Sequence, residues 1–319
     1  MRALVTGGAG FIGSNLVDRL LAEGHDVDVV DDLSTGSLAN LADARRSPVG
    51  RLTFHQLDIR SPATDELMKR SRPQVVFHLA ASPDAGPHPK DPLRDAETDL
   101  MGSLRVLEAA RRCGTQKVVF ASSGRSIYGA ADPKDLPLKE SHPQRPLTPH
   151  GVAKKSVAGY LDLYRELHSL EFTILALANV YGPRQTATEA SAVVARFARA
   201  LSAREACTIH GNGAQSRDFL YVDDAVDAFA RAAERGGGLL LNVGTGQETA
   251  IRDLYTVMAG TAGTDMPAVH SPARAEEVMR WSLDPGRAAI HLGWKPWTSV
   301  GEGVATVLEW WSSAIRRDA

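Results

Sequence analysis

His150 and Lys154 lie four residues apart in the run Thr148-Pro149-His150-Gly151-Val152-Ala153-Lys154. On a helix that spacing puts both side chains on one face. An imidazole takes or gives a proton near neutral pH without a large shift. An ammonium beside it disfavours a second positive charge, so the pair reads as a neutral histidine base with a cationic neighbour. A second constellation lies far upstream, in Thr6-Gly7-Gly8-Ala9-Gly10-Phe11-Ile12-Gly13. Gly7 and Gly10 allow a tight turn and close approach of backbone to a pyrophosphate. Gly13 lets the following helix pack on the preceding strand, and the helix N-terminus offers unpaired N–H groups to phosphate. Asp31 closes the next strand-like run, where a carboxylate binds adenine-ribose hydroxyls and repels a 2′-phosphate. Asp32 adds to that charge, so the cofactor expected is NAD rather than NADP.

These residues need a scaffold, and the chain supplies its pattern. Leu4–Thr6, Val27–Val30, Leu52–His55, Val75–Leu79, Val118–Ala121 and Phe172–Ala176 read as buried strands. Helical patterns at Phe11–Glu23, Ala96–Arg112 and Gly151–His168 alternate with them. Continuous apolar strands alternating with helices imply an α/β fold, a Rossmann-type doubly wound parallel sheet covered on both faces. Beyond Pro183 the pattern loosens, with Glu189–Ala203 and Ile251–Gly260 helical and Cys207–His210 strand-like. Asp223–Arg235 followed by Leu239–Val243 again reads as helix and strand. The expected division is a nucleotide domain over 1–180, with 218–244 returning to it, and a smaller, discontinuous α/β substrate domain over 181–319.

Composition narrows the function classes. A formal net charge of −2 with no long basic block argues against nucleic acid or an anionic membrane as partner. The cysteines are only Cys113 and Cys207, which gives no disulfide framework. No His/Asp/Glu spacing supports a metal site. No nucleophile-elbow motif surrounds a serine, which argues against a Ser-His-Asp hydrolase. No signal peptide or membrane-span-length apolar run is seen, so a cytoplasmic protein is expected.

The glycine loop and the His150-x-x-x-Lys154 frame resemble the extended short-chain dehydrogenase/reductases, in particular the UDP-glucose 4-epimerase-like sugar-nucleotide enzymes. The resemblance covers essentially the whole chain. It implies Tyr-x-x-x-Lys at this position, with tyrosine as acid/base and lysine on the nicotinamide ribose; this chain keeps the frame and has histidine. The family's Ser/Thr helper would fall on Gly124, within Ala121-Ser122-Ser123-Gly124-Arg125-Ser126-Ile127-Tyr128-Gly129, and Ser123 is the substitute chosen. Asp99 stands where relatives usually carry asparagine, and Ser82-Pro83-Asp84-Ala85-Gly86-Pro87-His88-Pro89 is expected beside the sugar. Arg125 is either a contact to an acidic group on the sugar or a surface residue. By the same resemblance Asp58-Ile59 lies against adenine, and Leu79-Ala80-Ala81 lines the ribose and pyrophosphate path. Asn179 and the arginines Arg217 and Arg274 bind the nucleotide-sugar diphosphate; guanidinium groups suit phosphate because they are always charged and bind in bidentate fashion. Arg184 approaches the sugar, and the Thr208–His210 strand contacts uracil. Leu292-Gly293-Trp294-Lys295-Pro296 matches a structural signature.

The resulting expectation is an NAD-dependent 4-epimerase of a UDP-hexose or UDP-hexuronate, working through a transient 4-keto sugar, and a homodimer by resemblance. A dehydratase is disfavoured because its Asp-Glu pair is replaced here by Gly124-Arg125. A decarboxylase stays open. A non-catalytic protein that binds NAD or a nucleotide sugar is the reading from another class, and the absent tyrosine is its best argument.

Overall fold

The computed structural model describes residues 1–82, 91–188, 192–273 and 278–318. Six strands, β1 (Arg2–Thr6), β2 (Asp26–Asp31), β3 (Leu52–Gln56), β4 (Val75–His78), β5 (Lys117–Ser123) and β6 (Glu171–Leu177), form one parallel sheet with the strand Leu239–Val243. The spatial order is Leu239–Val243, β6, β5, β4, β1, β2, β3. The chain order reverses at β1, which has β2 on one side and β4 on the other. A crevice outside the carboxyl ends of the strands forms at such a switch point.

Alternate residues of each strand enter opposite cores, as the two-residue period of a strand requires. Ala3, Val5, Val29, Phe77 and Val119 belong to one cluster, with Leu16, Val17 and Leu20 of α1 (Phe11–Ala22) and with Ala225 and Phe229 of the helix Val222–Ala232. Leu4, Val30, Val76, Val118 and Phe120 belong to the other, with Leu67 and Met68 of α2 (Pro62–Ser71). Leu239–Val243 extends the sheet beside β6, in register Leu241 with Leu175. Among the described residues, no helix is long and apolar enough to cross a membrane.

The segment Ala96–Arg112 is helical throughout, as expected, but contains a π-helical stretch: α3 (Pro92–Asp95) leads into π-helical Ala96–Gly102 and then α4 (Ser103–Cys113). The Ser103 hydroxyl donates to the Asp99 carbonyl at 2.6 Å where the wider turn loosens the regular ladder. After the short helix α5 (Gly124–Tyr128), α6 runs Pro149–His168 and begins earlier than Gly151. Thr148 caps it, its hydroxyl accepting from the Gly151 N–H at 3.1 Å, and Pro149 takes the first helical position, where its missing N–H costs nothing. His150 therefore sits inside the first turn, on the same helix as Lys154. The start of the expected helix Glu189–Ala203 lies outside the described residues, and the helix seen is Val193–Ser202.

Candidate active site

The glycine loop is built for a phosphate group. Gly7 has φ +69°, and a Cβ there would stand 2.8 Å from the Ala80 nitrogen, so loop and the end of β4 touch backbone to backbone. A Cβ on Gly13 would drive into the Gly7 carbonyl oxygen. α1 starts from Gly10 with no side-chain cap and no acidic residue in its first turn. Phe11 and Ile12 open that helix. Its first N–H groups are thus left for an anion from outside. The Asp31 carboxylate is mostly buried and accepts from Ala9 N and Leu33 N, each at 2.9 Å. Burial pushes its carboxyl up against those two bonds. Asp32 is exposed and accepts from Ser34 N at 2.9 Å in a local turn. Asp58 is clasped by Arg60, whose guanidinium reaches both carboxylate oxygens and holds that carboxyl below its usual range. Ile59 is buried against Gly102. A dinucleotide's pyrophosphate and adenine ribose match this cradle.

Beneath the crevice, His78 is fully buried and ties β1 to α4. Its Nδ1 lies 2.6 Å from Thr6 Oγ1 and its Nε2 lies 2.8 Å from Ser103 Oγ. Ser103 already gives its proton to the Asp99 carbonyl, so Nε2 donates to Ser103 and Nδ1 accepts from Thr6. Thr6 Oγ1 in turn accepts from Ala80 N at 3.2 Å. Burial, then the nearby Lys154 charge, pushes the His78 imidazole down to about 3, so it stays neutral.

His150 and Lys154 are both buried, at 6% and 4% exposure. Lys154 Nζ donates to the Ala121 carbonyl at 3.0 Å and lies 4.6 Å from the centre of the Phe120 ring. Burial pushes this ammonium down, and Asp99 partly opposes that. His150 Nδ1 lies 2.7 Å from Asp99 Oδ2, and the Asp99 side chain is 0% exposed. The second carboxylate oxygen, Oδ1, accepts from Ser82 N at 2.6 Å. Ser82 Oγ also donates to Asp95 Oδ1 at 2.5 Å. Burial alone would push the Asp99 carboxyl up. The His150 hydrogen bond, the charge of Lys154 and the Ser82 N–H outweigh burial and hold it below the usual carboxylate range. In the sequence Asp99 stands out only as a departure from asparagine, and nothing local predicts its contact with His150. Beside the cation expected near the imidazole, the structure places a carboxylate in direct contact.

Ser123 ends β5 and caps α5, its Oγ accepting from Ser126 Oγ at 3.0 Å, which leaves its own proton to donate. At Gly124 a Cβ would meet the side-chain tips of Leu283 at 2.8 Å and Trp281 at 3.1 Å, so a larger residue there requires Leu283 to shift. Arg125 is half-buried on α5. The first turn of α6 packs directly on α5, because a Cβ at Gly151 would strike the Ser126 carbonyl.

The residues expected on the substrate are more scattered. Asn179 lies on a short strand, Asn179–Tyr181, paired in parallel with Phe219–Tyr221. Arg217 is buried and donates to the Ser216 and Val278 carbonyls at 2.7 and 2.6 Å. Its neighbour Asp218, unremarked in the sequence, fixes this strand: it accepts from Thr245 N at 2.9 Å and Leu283 N at 3.1 Å. Thr208 and His210 share one face of their strand, with Ile209 buried opposite, and His210 Nδ1 lies 2.7 Å from Ser271 Oγ. The Arg184 guanidinium pairs through Nη2 with Asp18 of α1 at 2.7 Å, with Asp43 at 3.9 Å and the charge of Asp223 nearby. Its Nη1 is buried with no hydrogen-bond partner among the described residues. Arg274 and the proline-rich residues 83–89 lie outside the described residues.

The comparisons with known proteins agree with this geometry. The model of the NAD dependent epimerase/dehydratase family matches residues 3–244. The UDP-glucose 4-epimerase of Mycolicibacterium smegmatis is 45% identical over 97% of this chain and 98% of its own length. Among solved structures, UDP-glucose 4-epimerase of Thermotoga maritima with UDP-glucose superposes with a TM-score of 0.91 at 38% identity, covering 99% of this chain and 100% of that one. UDP-glucose 4-epimerase of Thermus thermophilus in complex with NAD gives 0.90 at 34% identity, covering 98% and 100%. With a parallel sheet whose strand order reverses at β1, beside the glycine loop, and with likeness along its whole length, the chain belongs to the NAD dependent epimerase/dehydratase family.

Proposed function

We propose that the chain is an NAD-dependent 4-epimerase of a UDP-hexose or UDP-hexuronate, with His150 as its acid/base. The observation that carries this is a buried imidazole with one ring nitrogen held by Asp99 and Lys154 one turn away, in a chain 45% identical to a UDP-glucose 4-epimerase. Bound NAD supplies a hydride acceptor that returns what it takes. Everything else falls to the chain. His150 Nε2 receives the proton of the sugar C4 hydroxyl as that carbon is oxidised, and gives it back on reduction from the opposite face. Lys154 holds the nicotinamide ribose, and Ser123 donates to the reacting oxygen. Gly7, Gly10 and Gly13 seat the pyrophosphate, and Asp31 takes the adenine ribose. Arg217, Arg274 and Asn179 take the substrate diphosphate, and the face carrying Thr208 and His210 takes uracil. In this reading residues 1–180 with 218–244 form the NAD-binding unit, and the rest of the chain forms the nucleotide-sugar unit.

The test is direct. The purified protein is incubated separately with UDP-glucose, UDP-galactose and UDP-glucuronate, and the anomeric protons are followed by NMR. Appearance of the 4-epimer from any of them is the expected result. No conversion by protein that still binds NAD would sink the epimerase reading and leave the binding-protein reading standing.

The same reading includes a homodimer. On α6, Val152, Tyr160, Leu163 and Leu167 are exposed at helical spacing, an apolar stripe with no cover in the single chain. A second copy would bury it. Sedimentation equilibrium should give twice the chain mass, and a monomer at micromolar concentration would refute the pairing.

A further inference from the structure

We propose that Asp99 is a positioning residue that fixes the tautomer of His150, holding the proton on Nδ1 so that Nε2 is the lone pair presented to substrate. The inference rests on His150 being the acid/base. It adds a residue, a direction and a reason for that residue's charge.

The geometry leaves one self-consistent arrangement. Asp99 Oδ1 is occupied by the Ser82 N–H at 2.6 Å, a main-chain donor that cannot reverse its role. Oδ2 is then the oxygen facing His150 Nδ1 at 2.7 Å. A carboxylate oxygen only accepts, so Nδ1 must carry the proton. Asp99 is the only hydrogen-bond partner of the His150 imidazole among the described residues, which leaves Nε2 free to act. The Ser82 N–H holds the carboxylate itself. The main chain beneath it is anchored too: the Ser103 hydroxyl donates to the Asp99 carbonyl, His78 donates to Ser103, and Thr6 of β1 donates to His78. The position of Asp99 is thereby tied to the strand that carries the glycine loop.

The charges around the pair are Lys154 and Asp95, with neutral His78 behind them. When Nε2 takes the hydroxyl proton, the imidazole becomes cationic beside the Lys154 ammonium. Asp99 offsets that repulsion, since its carboxylate is in contact and shielded from water. One proton moves from the sugar hydroxyl to Nε2 and the Nδ1 proton stays where it was; Asp99 is not protonated at any stage. The same division of labour between a buried carboxylate and an imidazole operates in serine-protease triads.

Asp99→Asn tests this sharply. The introduced amide must keep its oxygen toward the Ser82 N–H. Its NH2 group then faces His150, and Nδ1 is forced to become the acceptor. The proton moves to Nε2, and the base is switched off without loss of volume. The chain has ten histidines. In protein with 15N-labelled histidine, the His150 signals are identified by their loss in His150→Asn. The expected wild-type spectrum near neutral pH, with or without NAD, shows Nδ1 protonated. Asp99→Asn should show Nε2 protonated and a kcat lower by about 10³–10⁴-fold, with KM and NAD affinity within about twofold. Asp99→Glu, which keeps the acceptor, should recover a large part of that loss.

A wild-type His150 protonated on Nε2 overturns the proposal, and that spectrum needs neither a variant nor turnover. So does an Asp99→Asn protein that keeps both its Nδ1 proton and its kcat. If instead His150→Asn turns over normally, the acid/base reading has failed, and the tautomer spectrum still reports separately on Asp99.

Discussion

His150→Asn removes turnover, lowering kcat by about 10²–10⁴-fold, while the protein stays folded and keeps its NAD affinity. Asparagine is the informative choice. Its side-chain amide nitrogen falls close to where Nδ1 stands, so it can still donate to Asp99 Oδ2, now 2.7 Å from the imidazole. What disappears is Nε2 alone. His150→Ala removes the same base but strips Asp99 of its partner. Leaving a buried carboxylate without its donor costs about 1–3 kcal/mol or more, so that variant confounds lost chemistry with lost stability. NAD affinity should survive in the asparagine variant, because the pyrophosphate cradle and the Lys154–Ala121 contact do not touch residue 150. The measurement pairs initial rates from anomeric-proton NMR with NAD binding by calorimetry. A kcat within about threefold of wild type would remove His150 from the chemistry altogether.

The sequence carries the sheet and the cofactor loop clearly, and the reason is physical. Parallel strands buried on both faces read as near-continuous apolar runs; β1, β4 and β5 contain such runs, while Asp28 interrupts β2. The return of Leu239–Val243 to the sheet edge is legible for the same reason. The loop from Gly7 to Gly13 carries its own context, a strand before and a helix after. What stays hidden is contact between distant segments. Asp99 and His150 are 51 positions apart, and they meet only because a π-helical turn and an early-starting α6 bring them to one spot. The early start was readable in principle, since Thr148-Pro149 is a cap followed by a favoured first residue. The π-helical turn has no such signal. Arg184 is a second case of the same kind: Asp18, Asp43 and Asp223 surround its guanidinium, and nothing in the local sequence places those carboxylates around it.

The second large effect is a sign reversal between two backgrounds. His150→Tyr restores the residue that the family resemblance implies, yet alone it should be a poor enzyme, at least about 10²-fold below wild type. A phenol has an ordinary pKa near 10 and must be lowered a long way to act as a base at neutral pH. Lys154 helps, but a buried Asp99 carboxylate next to the ring pushes the other way, since a like charge disfavours the phenolate. The substitution also takes from Asp99 Oδ2 the donor it now has, leaving a buried carboxylate half-satisfied. Adding Asp99→Asn removes the repelling charge and supplies a neutral amide, so the double variant should exceed His150→Tyr by at least about tenfold. The same Asp99→Asn change in the histidine background is strongly damaging, because there it reverses the tautomer. A fall of about 10³ in one background and a rise of about 10 in the other is four decades of coupling, roughly 5.5 kcal/mol at the transition state. A double-mutant cycle on kcat measures it, with NAD affinity as the control for folding. Additive effects would mean that residues 99 and 150 act independently, and the contact between them would then be packing without chemistry. A cycle with the expected reversal would mean that aspartate and histidine at these positions form one functional unit, in which neither residue is exchangeable alone.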